Sequence, residues 1–228
     1  MDTQLSERDR AEIERSAEEA RKLVVEPVDW VQVERYVNPP SDTPYPLEYA
    51  FHLLGDVRGK TVLDFGCGAG ENIVPLVKRG AHVIGLDVSP ELVGLARQRL
   101  ERAGLKADLR VASAYATGLP DGSVDVIFSI SLIHHLDIGQ VREEMLRILA
   151  KDGRAILKEP IRFSTIYARL RALLPAQGDI SEYEHPLTRA ELANVCAPFE
   201  PEGMRYFRLP FVPLMLRVGA GGVALEDR

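Results

Sequence analysis

The chain has 228 residues, which suits one domain with short additions, and 46% of them are hydrophobic, enough to bury a sizeable core. Its net charge of -6, with no dense run of Lys or Arg, argues against a nucleic-acid partner, because neutralising phosphates needs clustered cations. No apolar stretch approaches the roughly 18 residues of a membrane helix, and the charged start, MDTQLSERDRAEIERSAEEA, lacks the apolar centre of a secretion signal, so no membrane partner and a cytoplasmic location are expected.

In chain order, Ser6 to Val25 is rich in Glu, Arg and Ala and predicts a helix. It reads either as a solvated helix or as a lid over a site. Val28 to Tyr49 carries Trp30, Tyr36, Tyr45 and Tyr49 among or beside Pro27, Pro39, Pro40, Pro44 and Pro46. That density of proline predicts no continuous regular structure, only a segment pinned to a surface by its aromatics. Residues 1–50 are therefore read as an N-terminal segment laid over a domain of residues 51–228.

An alternation follows. Thr61–Phe65 predicts a strand, and Glu71–Arg79 a helix stopped by Gly80. His82–Leu86 is a second strand ending at Asp87. Ser89 caps the next helix, which has Pro90 at its first position and Gly104 beyond its end. Ala107–Val111 and Val124–Ile130 are further strands, the latter apolar enough to be buried on both faces. Gln140–Ala150 has Val141, Met145, Leu146 and Leu149 at helical spacing. Lys151–Gly153 reads as a turn and Arg154–Lys158 as a fifth strand. The tail predicts helices at Ser164–Leu174 and Thr188–Ala197 and strands at Met204–Leu209 and Val212–Val218. Strands alternating with helices imply right-handed crossovers and a Rossmann-like, doubly wound α/β sheet.

The segment VLDFGCGAGEN, Val62 to Asn72, places a glycine-rich turn between a strand and a helix. Its spacing is GxGxG, whereas dinucleotide folds carry GxGxxG. Asp64 stands directly before the turn, where a carboxylate repels a pyrophosphate and suits a cation. Asp87 ends the second strand, about 20 residues on, where an acid can accept ribose hydroxyls. S-adenosylmethionine has an ammonium, a sulfonium and no phosphate, and so meets all three features. Asp64 alone also reads as a turn acid capping the next helix.

VLDFGCGAGEN followed by VIGLDVSPELVGLAR resembles the first two motifs of class I S-adenosylmethionine-dependent methyltransferases. LPDGSVDVIFSISLIHHL and KDGRAILKEP resemble that family's fourth motif and fifth strand, so the likeness spans about Thr61 to Pro160. It implies a seven-stranded sheet, mostly parallel with an antiparallel last strand. It also implies cofactor contacts at Asp64, Gly66, Cys67, Gly68, Asn72, Asp87, Val88 and Ser129. Many relatives carry an Asp just after strand three to hold the adenine amino group. Here Ser113 and Ala114 stand in that place, as a hydroxyl and a backbone contact.

His134 and His135 follow strand four, at the edge where such sheets bind ligands. His134 reads as a general base or as a loop-closing side chain, and His135 as loop-closing or facing substrate. Glu159 either orients a substrate or pairs with a cation such as Arg162. Tyr167 and Arg169 in STIYARLR, with His185 in EYEHPLT, resemble a sub-group in which these elements shape the substrate side, and they read equally as packing and surface charge. Tyr36 and Tyr45 either close over the sulfonium or pack the Pro-rich segment. Cys67 and Cys196 form no paired or metal-binding spacing, and no metal is expected. The expected activity is methyl transfer to a small molecule. The alternatives are cyclisation of the cofactor's amino-acid chain with release of methylthioadenosine, a non-catalytic binder, and, least suited, a nicotinamide oxidoreductase. An N-terminal segment folding over a neighbour is compatible with a homodimer.

Overall fold

A computed structural model describes residues 7–161, 186–200 and 202–207. Five parallel strands are laid in the order β3-β2-β1-β4-β5: β1 Thr61–Phe65, β2 His82–Asp87, β3 Asp108–Val111, β4 Val124–Ile130 and β5 Leu149–Lys158. The apolar run VDVIFSI makes β4 an inner strand between β1 and β5, with Leu63 opposite Ile127 and Ile127 opposite Ala155. β3 carries Asp108 and Arg110, paired at 2.8 Å, along an end of the described sheet. Charge on such a strand discourages pairing with another chain.

Helices cover both faces. On one, α2 (Trp30–Val37), α3 (Pro46–Leu53) and α4 (Ile73–Lys78) bury Val33, Phe51, Ile73 and Leu76 against Val62, Val83, Val126 and Phe128. On the other, α6 (Ile138–Ile148) and α7 (Arg189–Cys196) bury Val141, Met145 and Val195 against Leu63, Phe65 and Ile127. The alternation of Val62 with Leu63 between these two cores is the period-2 signature of a strand buried on both sides. α5 (Pro90–Ala103) packs on β2 and β3 and contacts α1 (Glu7–Lys22). The Ser89 hydroxyl accepts from the Leu92 N–H at 3.2 Å, and Gly104 takes φ 66°, as the cap residues predict.

Val28–Tyr49 departs from expectation, because it contains α2 and begins α3. The prolines crowd into the connection, and Pro46 sits in the first turn of α3, where no backbone donor is lost. Asp29 starts α2 by accepting from the Val31 and Gln32 N–H groups at 2.9 and 3.1 Å. Tyr36 stacks on Phe51 at 4.9 Å, and Phe51 meets Phe128 at 4.9 Å, so Tyr36 pins the segment, whereas Trp30 and Tyr45 are exposed. Arg79 donates to the carbonyls of Tyr36, Phe51 and Gly55, tying the ends of α2 and α3 to the end of α4.

The turn expected at Lys151–Gly153 is instead part of β5. Val124 pairs with Leu149 and Val126 with Arg154, so the intervening residues bulge out without ending the strand. Met204–Phe207, the described part of an expected strand, has no strand pairing. Residues 164–174 and 212–218 lie outside the described residues, as would most of the two further strands that the seven-stranded expectation needs. A single parallel bridge joins Ile161 to Leu187 after β5.

Candidate active site

The chain reverses direction across the sheet between β1 and β4, and ligands bind such sheets at the carboxyl ends beside that point. The glycine turn lies there. Gly66, Gly68 and Gly70 all have positive φ, at 76°, 50° and 79°. A side chain at Gly66 would come within 2.8 Å of Leu132, and one at Gly70 within 2.8 Å of Ala96, so both are also close approaches. The turn is closed by Gly66 and Cys67 N–H groups donating to the Leu86 carbonyl at 2.9 Å each. The Cys67 side chain joins the core, and burial pushes its thiol pKa up. Its side chain is therefore packed as a small hydrophobe.

Asp87 braces this turn. One carboxylate oxygen accepts from the Gly68 N–H and the other from the Ser89 N–H, both at 2.9 Å. Burial raises its pKa, against the pull of those donors. Asp64 is fully buried at the end of β1, and neither of its oxygens has a hydrogen-bond partner. Burial, aided by the charge of Asp87, pushes its pKa up to about 8. Ser129, at the end of β4, is likewise buried with an unpartnered hydroxyl. Asn72 precedes α4 and makes no side-chain cap bond.

The linkage has a defined sign. The folded chain holds a proton on Asp64 that the unfolded chain releases near its ordinary value of 3.8. Stability without ligand should therefore be fullest below that value and fall as pH rises to about 8. Asp64→Asn should flatten this dependence. Unfolding free energies at acid and alkaline pH should differ by at least about 1.4 kcal/mol more in the native sequence than in the variant, the worth of one pKa unit. Equal slopes would mean that Asp64 is solvated.

A cavity of about 180 Å³ opens beside Asp87. Gly66, Val88, Leu92, Ala114 and Leu132 line it from the sheet side. Its roof is α1, which contributes Asp9, Glu12, Arg15, Ser16 and Glu19. Asp9 and Ser16 are buried, and the Ser113 hydroxyl donates to Asp9 at 3.0 Å. Of the two readings of the first helix, the structure thus places it against the site. Neither Asp9 nor Glu12 was read from the sequence as a site residue. Their spacing was visible, but a polar inward face looks the same as a polar outward one.

Ser131, also lining the cavity, is the one non-glycine residue with positive φ (57°) among the described residues. Such strain clusters at functional sites. After it comes a 3-10 turn, Ile133–His135. Glu159, at the end of β5, accepts from the Leu132 and Ile133 N–H groups at 3.0 and 2.9 Å through one oxygen. Its other oxygen meets His134 Nδ1 at 2.7 Å. Glu159 therefore holds the turn and the imidazole, a role that neither sequence reading of it contained. The His134 and His135 rings are 4.1 Å apart, and His135 lines the cavity with its Nδ1 at 3.7 Å from Glu12.

The remaining expectations divide plainly. Tyr36 is tied into the core by Phe51, and Tyr45 is exposed beneath the Arg35 guanidinium, so neither reaches the cavity. Tyr167, Arg169 and His185 lie outside the described residues. Among the described residues, no group of three or more His, Cys, Asp or Glu is arranged to hold a metal, and no helix is long and apolar enough to cross a membrane.

Fold and site together define a Rossmann-like domain whose glycine turn is framed by acids. Residues 63–157 match the family described as "Methyltransferase domain", and the class I resemblance read from the motifs holds. The chain is 32% identical over 119 residues to a ubiquinone biosynthesis O-methyltransferase of Azoarcus, covering 52% of this chain and 49% of that protein. It is 32% identical over 113 residues to a demethylmenaquinone methyltransferase of Thermus thermophilus, covering 48% and 51%. The chain thus spans about half the length of these curated relatives. Among solved structures, the geranyl diphosphate C-methyltransferase of Streptomyces coelicolor shares the fold at a TM-score of 0.60, with 18% identity, covering 85% of this chain and 79% of that one.

Proposed function

We propose that this chain binds S-adenosylmethionine and transfers its methyl group to a small-molecule acceptor. The observation that carries this reading is Asp64. A fully buried acid without a hydrogen-bond partner keeps its proton until a cation stabilises the carboxylate, since burying that charge uncompensated is costly. The ligand's ammonium supplies one and its ribose suits Asp87, while the absence of phosphate spares both acids. The named relatives act on quinone precursors, which supports a small metabolite as acceptor.

When bound, the ligand supplies an electrophilic methyl group on a sulfonium whose leaving sulfur needs no protonation. The chain's own residues then have two tasks. The glycine turn and Asp87 hold the nucleoside, so that much of the barrier is lowered by position alone. His134 takes the proton that the acceptor loses. Glu159 accepts from Nδ1–H, which fixes the tautomer whose Nε2 is the basic atom. Glu159 is thus a positioning residue. The cavity beneath α1, at about 180 Å³, is below the ~300 Å³ usual for a ligand pocket, so binding the whole ligand requires it to widen.

The test is to incubate the full chain with S-adenosylmethionine, alone and with a metabolite extract, and to identify the nucleoside product by mass. S-adenosylhomocysteine formed only with extract is the expected result. Methylthioadenosine formed without acceptor would replace methyl transfer with cyclisation. Tight binding without turnover would make the chain a binder.

A further inference from the structure

β5 fastens the turn after β4 at both of its ends, and one fastening is a cation that the methyl-transfer chemistry leaves unused. We infer that Lys158 and Ser131 together seat a carboxylate of the methyl acceptor, which makes the substrate an anionic small molecule. The inference rests on the methyl-transfer reading. Lys158 is the last residue of β5, where it pairs with Ile130. Its Nζ donates to the Ser131 hydroxyl at 3.1 Å, and its carbonyl accepts from the Ser131 N–H at 2.7 Å. Ser131 lines the cavity, so the ammonium stands one hydrogen bond back from that wall. Glu159, next in the chain, is committed to Leu132, Ile133 and His134. Ammonium and imidazole thus flank one short turn.

Three features suit the pair to an anion. Among the described residues, no carboxylate pairs with Lys158, so its charge is open to a ligand. Ser131 accepts from Lys158 and keeps its own hydrogen to give, since a hydroxyl is one donor and two acceptors. A carboxylate then has one oxygen for each donor. Ser131 also holds its φ of 57°, a strained conformation of the kind that persists where function requires it. The rest of the cavity sets the orientation. Asp9, Glu12, Glu19 and Asp87 line it from α1 and the end of β2, and they turn an anionic group away. Arg15, the cation of α1, is already paired with Glu12 at 2.7 Å. One ammonium and one hydroxyl suit a single negative charge. A phosphate ester, with nearly two charges and three acceptor oxygens, calls for more donors.

The test divides a metabolite extract at neutral pH on an anion-exchange resin. Each fraction is assayed with the full chain and S-adenosylmethionine, and S-adenosylhomocysteine is read by mass. Turnover should reside in the retained fraction and survive treatment of that fraction with alkaline phosphatase. With the acceptor so isolated, Lys158→Gln should raise its KM by about 10- to 100-fold and change kcat by less than about 3-fold, the mark of binding lost equally from ground and transition states. Lys158→Arg should recover most of that affinity, and the methyl ester of the acceptor should be blind to both substitutions. A merely structural clasp predicts another pattern: Lys158→Gln would lower kcat through the turn that carries His134, for acid and ester alike. That pattern, an unchanged KM, or turnover confined to the unretained fraction overturns the inference and leaves methyl transfer standing. Turnover lost to phosphatase makes the anion a phosphate ester and overturns the carboxylate assignment. S-adenosylhomocysteine in no fraction removes both readings.

Discussion

Asp87→Ala should remove measurable binding of S-adenosylhomocysteine, a loss of at least about 100-fold, while the chain stays folded. Three effects add in the same direction. The ligand loses its ribose acceptor. The Gly68 N–H loses its partner, so the turn is no longer held at its middle. The Ser89 N–H loses its partner too, which loosens the start of α5. Each orphaned donor costs about 1–3 kcal/mol where it stays out of water. Asp87→Asn should fall nearly as far, since its amide nitrogen would face one of the two backbone donors. Calorimetry gives the affinity and circular dichroism the fold. Unchanged affinity would overturn the ribose assignment.

The proposed methyl transfer is tested at the His134–Glu159 pair. His134→Ala should lower kcat by about 10²–10⁴ with little change in S-adenosylhomocysteine affinity, as removing a general base does. Glu159→Gln should lower kcat by at least ~10² through the imidazole's tautomer. Its one remaining oxygen must serve the Leu132 and Ile133 donors, so its NH₂ faces Nδ1. Nδ1 then becomes the acceptor, and Nε2 carries the proton and is no longer basic. The assay uses the acceptor found in the product screen. His135→Ala is the comparison: if it abolishes kcat while His134→Ala does not, the base is His135, which lines the cavity.

Much of the sheet was legible because its cues are local. Ser89, Pro90 and Gly104 bound α5 by capping chemistry, and β4 announces its burial by an apolar run. The glycine turn was legible for the same reason, since positive φ demands glycine. What escaped depends on contacts far apart in the chain. Asp9 meets Ser113 across 104 positions, and Glu159 meets His134 across 25. No spacing rule encodes either pairing. α1 shows the difficulty most clearly. Its polar residues recur at helical intervals, which signals water in most helices, but here they face a polar cavity. The Pro-rich segment was misread for a simpler reason: Asp29 and Pro46 are start signals, and the count of prolines hid them.

The close approach of Leu132 to Gly66 ties the glycine turn and the His134 turn into one block. Leu132 touches the turn proposed to seat the nucleoside, its N–H is held by Glu159, and two residues on stands the imidazole. Any bulk added at Gly66 is thus transmitted to the proposed proton acceptor without passing through a ligand. Selection for a larger or differently shaped acceptor has no room to act within that knot. Variation among close homologues should accordingly collect in α1 and along the rim, with the glycine, the leucine and the glutamate left fixed together.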